Sequence, residues 1–329
     1  MDRISSAWSS PGLGVGVSCG IASAIFYTIS NIALRQSTSV DPFLVAAVKS
    51  APTVLFLAPV ALAWQRRSSS SIIQSRRAAF QFAGVSLVGQ VVGNGAFQIA
   101  LGSIGLAASV PIAFGSLLIG GAVLGRWFLG EPVSARKMIA ISMLVIAVVV
   151  LARSQPSDLD ARADNATSEW SLLHAPSWFG ALCAIACGAA YAFFSTLMRR
   201  SMQRGMPALG AMWISGLVGT VALWAITLTL SGVEPVVAAN PSQWRAMIMG
   251  GLFNFVAFLA ISTALRILPV VAVHLLNASQ VAMAAVAGVY LFAEDVTPRL
   301  LIGVAMTLSG LLLLAKPQRT ASGSPIADS

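Results

Sequence analysis

The residues of this sequence best able to do chemistry are polar side chains inside long apolar segments. Gln90, Asn94 and Gln98 follow one another at four-residue spacing, which places all three amides on one face of an α-helix. A buried polar group costs free energy unless it finds a hydrogen-bond partner or faces water. The amide face therefore indicates either hydrogen bonding between helices or the lining of a polar cavity, and we favour the cavity.

Two tyrosines occupy comparable places in the first and second parts of the chain. Tyr27 and Asn31 share a helical stripe, and Tyr191 lies in a segment that resembles the one around Tyr27. Asn254 corresponds to Gln90 when the two parts are aligned, so an amide recurs at matching depth. These side chains either line the same cavity or pack between helices.

A histidine and a lysine also fall within apolar segments. His274 and Asn277 lie one helical turn apart, and His274 either binds substrate or relays protons, or is a neutral packing residue. Lys49 either extends its ammonium to the membrane surface or holds a fixed positive charge at a cavity, which would favour an anionic substrate.

Several chemistries are disfavoured. All 11 Asp and Glu residues lie outside the apolar segments, so proton coupling through a buried carboxylate is not expected. The 3 cysteines match neither a disulfide framework nor a metal site. We predict no catalytic residue, no cofactor and no metal ion.

The elements that must position these residues are membrane-spanning helices. The chain has 329 residues, of which 57% are hydrophobic and 9% charged, whereas soluble domains carry about 25% charged residues. The apolar runs are long and show no alternation of the kind that strands require. Segments long enough to cross a bilayer are predicted at residues 12–34, 42–64, 79–101, 106–129, 136–152, 177–198, 206–230, 245–265, 269–292 and 298–315.

These spans form two copies of one unit. Residues 19–28 (CGIASAIFYT) recur as residues 187–196 (CGAAYAFFST). Small residues at four-residue spacing in both copies, such as Gly20 and Gly188, predict close helix packing. The excess of Lys and Arg in alternate loops places both termini in the cytoplasm. Each copy has an odd number of spans, so the second copy enters the membrane upside down, as in transporters built from inverted repeats.

The ends of the two copies contain motifs that resemble those of a known protein family. Residues 129–132 (LGEP) before the fifth span correspond to residues 292–295 (FAED) before the tenth, and residues 41–42 (DP) open the second span ahead of Lys49. The pattern resembles the EamA-type branch of the drug/metabolite transporter superfamily over residues 12–315. The resemblance implies a central cavity lined by spans 1–4 and 6–9, with spans 5 and 10 outside. We interpret Glu131 and Glu294 as turn or cap residues that start spans 5 and 10.

The predicted architecture is an all-α membrane protein of ten transmembrane helices, arranged as two inverted five-helix repeats around a central cavity. The predicted parts are a cytoplasmic N-terminus (1–11), a first repeat (12–153), an external polar linker (154–176), a second repeat (177–316) and a cytoplasmic tail (317–329). We expect an integral membrane protein of a bacterial inner membrane.

The predicted function is secondary transport, as an exporter or exchanger, of a small polar metabolite such as an amino acid. Its partners are then a small-molecule substrate and the lipid bilayer, with no nucleic acid and with a homodimer left open. A lipid-headgroup scramblase or a membrane scaffold is the alternative. A remote alternative is an intramembrane hydrolase, since Ser215 and Ser309 each precede a glycine. The substrate-binding candidates are Tyr27, Asn31, Lys49, Gln90, Asn94, Gln98, Tyr191, Asn254, His274 and Asn277.

Overall fold

The computed structural model describes residues 11–67, 76–129, 135–152, 176–268 and 270–315. Within these ranges the chain is helical and contains no β-strand. The predicted external linker and C-terminal tail, the N-terminus apart from Pro11, and Glu131 lie outside the described residues or have no described side chain, so those predictions stay predictions.

The helices in chain order are α1 (Pro11–Arg35), α2 (Pro42–Arg67), α3 (Arg76–Leu87), a π-helical segment (Val88–Gly95), α4 (Ala96–Leu129), α5 (Ala135–Ala152), α6 (Ser177–Gln203), α7 (Ala208–Leu230), α8 (Glu234–Ala238), α9 (Pro241–Ile267), α10 (Val270–Asn277), α11 (Ser279–Phe292) and α12 (Pro298–Ala315).

Membrane-spanning length is reached by six helical stretches among the described residues. One of them, Arg76–Phe128, is 53 residues long and would measure about 80 Å if straight, far more than the roughly 30 Å hydrocarbon core. It must therefore bend back. The structure differs from the prediction at 269–292, where α10 and α11 are separate helices, and in the short helix α8, which replaces part of a predicted loop.

The reversal in the long stretch occurs at Gly105, where φ is 74° and ψ is 177°, a combination that is essentially confined to glycine. Contacts with α6 show that the chain reverses direction there. Tyr191 packs against Gly93, before the break, and the adjacent Ala192 packs against Gly120, after it. In a straight helix Gly93 and Gly120 would be about 40 Å apart. The predicted boundary between the third and fourth spans is confirmed at Gly105.

A matching arrangement surrounds α1. This helix runs antiparallel to α9, since Leu34 contacts Gly250 near one end and Gly16 contacts Ile267 near the other. It also lies along α10, where Gly20 contacts Leu276. Thus α1 packs against two successive elements of the second half, as α6 packs against two successive elements of the first.

Two further helix pairs join the halves side by side. α2 lies antiparallel to α7, because Asp41 accepts a hydrogen bond from Ser231 at one end (Oδ2–Oγ 2.8 Å) and Thr53 contacts Gly216 further along. α5 lies antiparallel to α12, with Leu151 against Gly303 and Leu144 against Gly310. We call the end of the bundle that holds Gly105, Asp41 and Ser231 the Gly105 end.

The predicted packing role of the duplicated small residues is confirmed. A Cβ added to Gly188 would lie 2.2 Å from the carbonyl oxygen of Ala113, and one added to Gly20 would lie 2.5 Å from the side chain of Leu276. Ala24 and Ala192 are fully buried. These positions bring helix backbones together, so the small residues of the duplicated segment have a structural role.

The exterior of the bundle is apolar. Phe80, Trp127 and Tyr290 are each about four-fifths exposed, and large aliphatic side chains such as Leu55 and Leu230 are also exposed. Water would not favour such a surface, but lipid tails would. The chain is an all-α integral membrane protein.

Candidate functional site

A cavity of about 180 Å³ lies inside the bundle. It is lined by α1, α2, the π-helical segment, α4, α6, α7, α9, α10 and α11, and by none of the described residues of α5 or α12. Its polar lining residues are Tyr27, Asn31, Lys49, Ser50, Thr53, Gln90, Asn94, Tyr191, Ser195, Asn254, His274, Asn277 and Gln280. Both halves of the chain therefore supply polar groups to one cavity.

Asn94 is the centre of the larger hydrogen-bond network. Its Oδ1 accepts hydrogen bonds from Lys49 Nζ (2.9 Å) and from the Tyr191 hydroxyl (2.6 Å). Its Nδ2 donates to Gln90 Oε1 (2.5 Å). Gln90 Nε2 in turn donates to Ser215 Oγ on α7 (2.8 Å). The network links four helical elements and satisfies most of the polar groups that form it, which stabilises a buried polar cluster.

Gln90 and Asn94 meet within the π-helical segment. Their side chains bond directly, and both lie within Val88–Gly95, where i→i+5 hydrogen bonds widen the turn. Gly93 lets the ring of Tyr191 approach, because a Cβ at this position would lie 2.7 Å from Tyr191 Cε1. Single π-helical turns occur often at functional sites, and this one holds two of the predicted site residues.

Gln98 does not share that arrangement, and the prediction of three amides on one face does not match the structure. Its Nε2 donates to the carbonyl oxygen of Leu34 (3.2 Å), and Gln98 is not among the residues that line the cavity. The reason is the π-helical segment, which changes the rotation between Asn94 and the following turn relative to a continuous α-helix. Gln98 joins α4 to α1.

Asn277 is the centre of a second, smaller network. Its Nδ2 donates to Ser23 Oγ (2.9 Å) and its Oδ1 accepts from Gln280 Nε2 (2.7 Å). Ser23 is fully buried. This network ties α1 to the junction of α10 and α11, and it lines the cavity through Asn277 and Gln280.

Six polar lining residues remain outside both networks. One of them, Ser195, donates to the carbonyl oxygen of Ala192 (3.2 Å). The structure gives the side chains of the other five no hydrogen-bond partner among the described residues; these are Tyr27, Asn31, Thr53, Asn254 and His274. Asn31 and His274 are nevertheless more than nine-tenths buried. Buried polar groups are normally hydrogen-bonded, so these five are the groups that a molecule in the cavity would satisfy.

Lys49 lies in the cavity wall, buried inside the bundle. It is 6% exposed, its ammonium bonds to Asn94, and Nζ lies 5.7 Å from the centre of the Phe97 ring. The only salt bridge among the described residues joins Arg35 to Glu294, so Lys49 has no carboxylate partner there. The structure thus places nine of the ten predicted residues at one cavity, with Gln98 as the exception.

Comparison with known families decides the broader class of the molecule. The family model described as "EamA-like transporter family" matches this chain twice, at residues 14–153 and 178–316. The chain belongs to the EamA-like transporter family. The two matched regions agree with the internal duplication seen in the sequence, and they make this EamA-like chain a membrane transporter of the drug/metabolite type.

Solved structures support the fold of this EamA-like protein. Twenty-eight chains of solved structures match. One of them, titled "Crystal structure of protein", has a TM-score of 0.61 and 19% sequence identity, and the match covers 91% of this chain and 95% of that one. At this identity the likeness concerns the fold alone. No curated protein matches this chain.

Glu294 has a different role from the predicted one in this EamA-like fold. It does not cap the start of α12. Its two carboxylate oxygens accept hydrogen bonds from the backbone N–H groups of Leu106 (2.7 Å) and Ala107 (2.8 Å), directly after Gly105, and Arg35 Nε lies 3.2 Å away. Residues far apart in sequence supply the helix end that Glu294 caps, and this contact could not be inferred from local spacing.

Four polar residues line the cavity but are not among the ten predicted candidates, namely Ser50, Thr53, Ser195 and Gln280. A fifth, Ser215, joins the network around Asn94 from α7. Ser50 Oγ donates to Gln90 Oε1 (3.3 Å), and Ser215 Oγ accepts from Gln90. A serine among Ala and Gly looks like a packing residue in sequence. The signal that could have found Ser215 is its place between apolar residues and Gly216 and Gly219, since those glycines let Thr53 and Gln90 approach α7.

Proposed function

We propose that this EamA-like protein is a secondary transporter, an exporter or exchanger, of a small polar metabolite such as an amino acid, which it binds in the central cavity. The observation that carries the proposal is the cavity itself, in which both halves supply polar groups and five of these lack partners among the described residues. Alternating access requires a site between two halves that move relative to each other.

The helix contacts support two inverted five-helix repeats with ten transmembrane helices. α2 and α7 are equivalent elements of the two halves and lie antiparallel, as do α5 and α12. In addition, α1 packs against α9 and α10 in the same way as α6 packs against the helical segments before and after Gly105. A two-fold axis in the membrane plane generates this pattern, because it turns each element of one half into an antiparallel element of the other.

A hydrolase receives no support from the described residues. The hydroxyl of Ser215 accepts a hydrogen bond from Gln90, and His274 forms no hydrogen bond with a serine there. A base must lie within hydrogen-bond reach of the nucleophile that it activates.

Reconstitution tests the transporter proposal. The purified full chain is screened by thermal shift against a metabolite library, since a bound ligand raises the melting temperature by mass action. Metabolites that stabilise it are then offered, in labelled form, to proteoliposomes. We expect at least one to accumulate faster than in protein-free vesicles, with exchange against the same unlabelled metabolite inside.

The same vesicles carry a trace of fluorescent phospholipid as an internal comparison. Rapid transfer of the labelled headgroup between leaflets, with no metabolite accumulated, would contradict the transporter and favour a scramblase. Absence of both activities in correctly folded protein would favour a membrane scaffold.

A further inference from the structure

The charge of the cavity narrows the class of substrate. We propose that the preferred substrate is a small organic monoanion, a carboxylate with an aromatic or aliphatic body and no amino group. This inference rests on the proposed transport function and concerns the same cavity. It departs from the amino acid named above, because an amino acid adds an ammonium group that this cavity has little means to bind.

Lys49 supplies the site for the carboxylate. A lysine ammonium has three N–H donors, and Lys49 uses one of them on Asn94. No other hydrogen bond from Nζ is found among the described residues, and the ammonium is almost fully buried. A buried charge without a counter-charge is unfavourable, whereas a ligand carboxylate can accept both remaining donors and neutralise the charge.

The cavity offers no equivalent partner for a second, positive group. None of the described lining residues is Asp or Glu. The free polar groups on Tyr27, Asn31, Thr53, Asn254 and His274 are neutral, so they can accept a hydrogen bond from a ligand ammonium but cannot neutralise its charge. A zwitterion also leaves the net positive charge of Lys49 uncompensated, while a monoanion brings the occupied cavity to neutrality.

The apolar residues of the cavity wall determine the size and shape of the apolar part of the ligand. Phe97, Phe114, Phe194 and Phe258 face the cavity, with Ile261 and Leu265 beside them. The cavity volume of about 180 Å³ is comparable to the roughly 150 Å³ apolar cavity that holds a benzene molecule. One ring, or a branched chain of similar size, with a single carboxylate fills this space.

Three probes of one shape and different charge test the inference. They are 3-phenylpropionate, phenylalanine and phenethylamine, whose binding to the purified full chain is measured by calorimetry and thermal shift. We expect 3-phenylpropionate to bind at least tenfold more tightly than phenylalanine, and phenethylamine not to bind. Lys49→Met should remove this preference, and Lys49→Arg should keep most of it.

Arg245→Met is the matched control, because it removes one positive charge from an exposed position of α9 outside the cavity. Its preference should equal that of the unmodified protein. Monodispersity and melting temperature report on folding in each variant, and the three-probe comparison on the unmodified protein needs no variant to fold.

The proposal of a monoanionic substrate would be overturned if phenylalanine or phenethylamine bound as tightly as 3-phenylpropionate or more tightly. It would also be overturned if none of the three probes bound. Retention of the full preference in well-folded Lys49→Met would also overturn it. None of these results would contradict the proposed transport function, because metabolite accumulation in proteoliposomes tests that function separately.

Discussion

At the scale of single residues, the cavity contains two kinds of polar side chain. Asn94 and Gln90 are engaged with other protein groups, whereas Asn254 and Asn31 have no partner among the described residues. The first kind builds the cavity and the second kind is available to a ligand. All four are amides within apolar helices, so the sequence could not separate them. The difference depends on which side chains the fold places opposite each one.

This division predicts different outcomes for two similar substitutions. Asn94→Leu should reduce both transport and stability, because it leaves the buried Lys49 ammonium and the Tyr191 hydroxyl without their acceptor, at a cost of about 1–3 kcal/mol for each such group. Asn254→Leu should weaken ligand binding about fivefold to tenfold, as for one neutral hydrogen bond, and leave the melting temperature unchanged.

Melting temperature and proteoliposome uptake measure the two effects separately. Thr263→Val, on the same helix as Asn254 but outside the cavity, is the control and should alter neither. If Asn94→Leu transports normally, the network around Asn94 is only packing and the role assigned to it is wrong.

At the scale of helical elements, local irregularities position the site. The π-helical segment holds Gln90 and Asn94 and changes the helical rotation ahead of Gln98, and Gly105 folds one long helical run back along α6. A glycine in a long apolar run signals a break only weakly, and the sequence has many glycines. The predicted boundary at Gly105 nevertheless followed from length, because a bilayer cannot hold a helix of that size.

The Glu294 carboxylate should stabilise this break. Glu294→Gln keeps the shape of the side chain but replaces one acceptor oxygen by an NH₂ donor, which cannot accept from Leu106 N or Ala107 N, and it removes the charge beside Arg35. We expect a loss of about 2 kcal/mol in the free energy of unfolding, from hydrogen bonds to a charged group.

Unfolding in mixed detergent, followed by circular dichroism, measures the loss. Asp295→Asn is the matched control, because Asp295 is the exposed neighbouring acid and its carboxylate forms no hydrogen bond or ion pair with the described residues. The stability of this variant should stay within about 0.5 kcal/mol of that of the unmodified protein. Equal stability of both variants would show that the Glu294 contacts do not hold the break.

At the scale of the whole molecule, the two halves interlock. α1 packs against the second half and α6 against the first, so the cavity exists only when the halves are assembled. The arrangement of basic residues adds a prediction about orientation, namely that the Gly105 end faces outward and both termini face the cytoplasm.

Single cysteines in a variant without native cysteines test the orientation. Glu234→Cys lies near the Gly105 end and Arg204→Cys at the opposite end, and both positions are exposed. A membrane-impermeant maleimide should label the first in intact cells and the second only after permeabilisation. The reverse pattern would contradict the predicted topology.

The sequence by itself indicated the class of the molecule, its duplication and most of the polar residues that line the cavity. The solvent around each segment constrains its composition and the length of its apolar run. A bilayer imposes this constraint on each spanning segment separately, so it can be read without knowledge of the tertiary structure. The tertiary structure decided which of those residues are free, because hydrogen-bond partners such as Asn94 with Tyr191, or Glu294 with Leu106, come from distant parts of the chain. It also decided that Gln98 lies outside the cavity, since that depends on a π-helical turn that the four-residue spacing did not reveal.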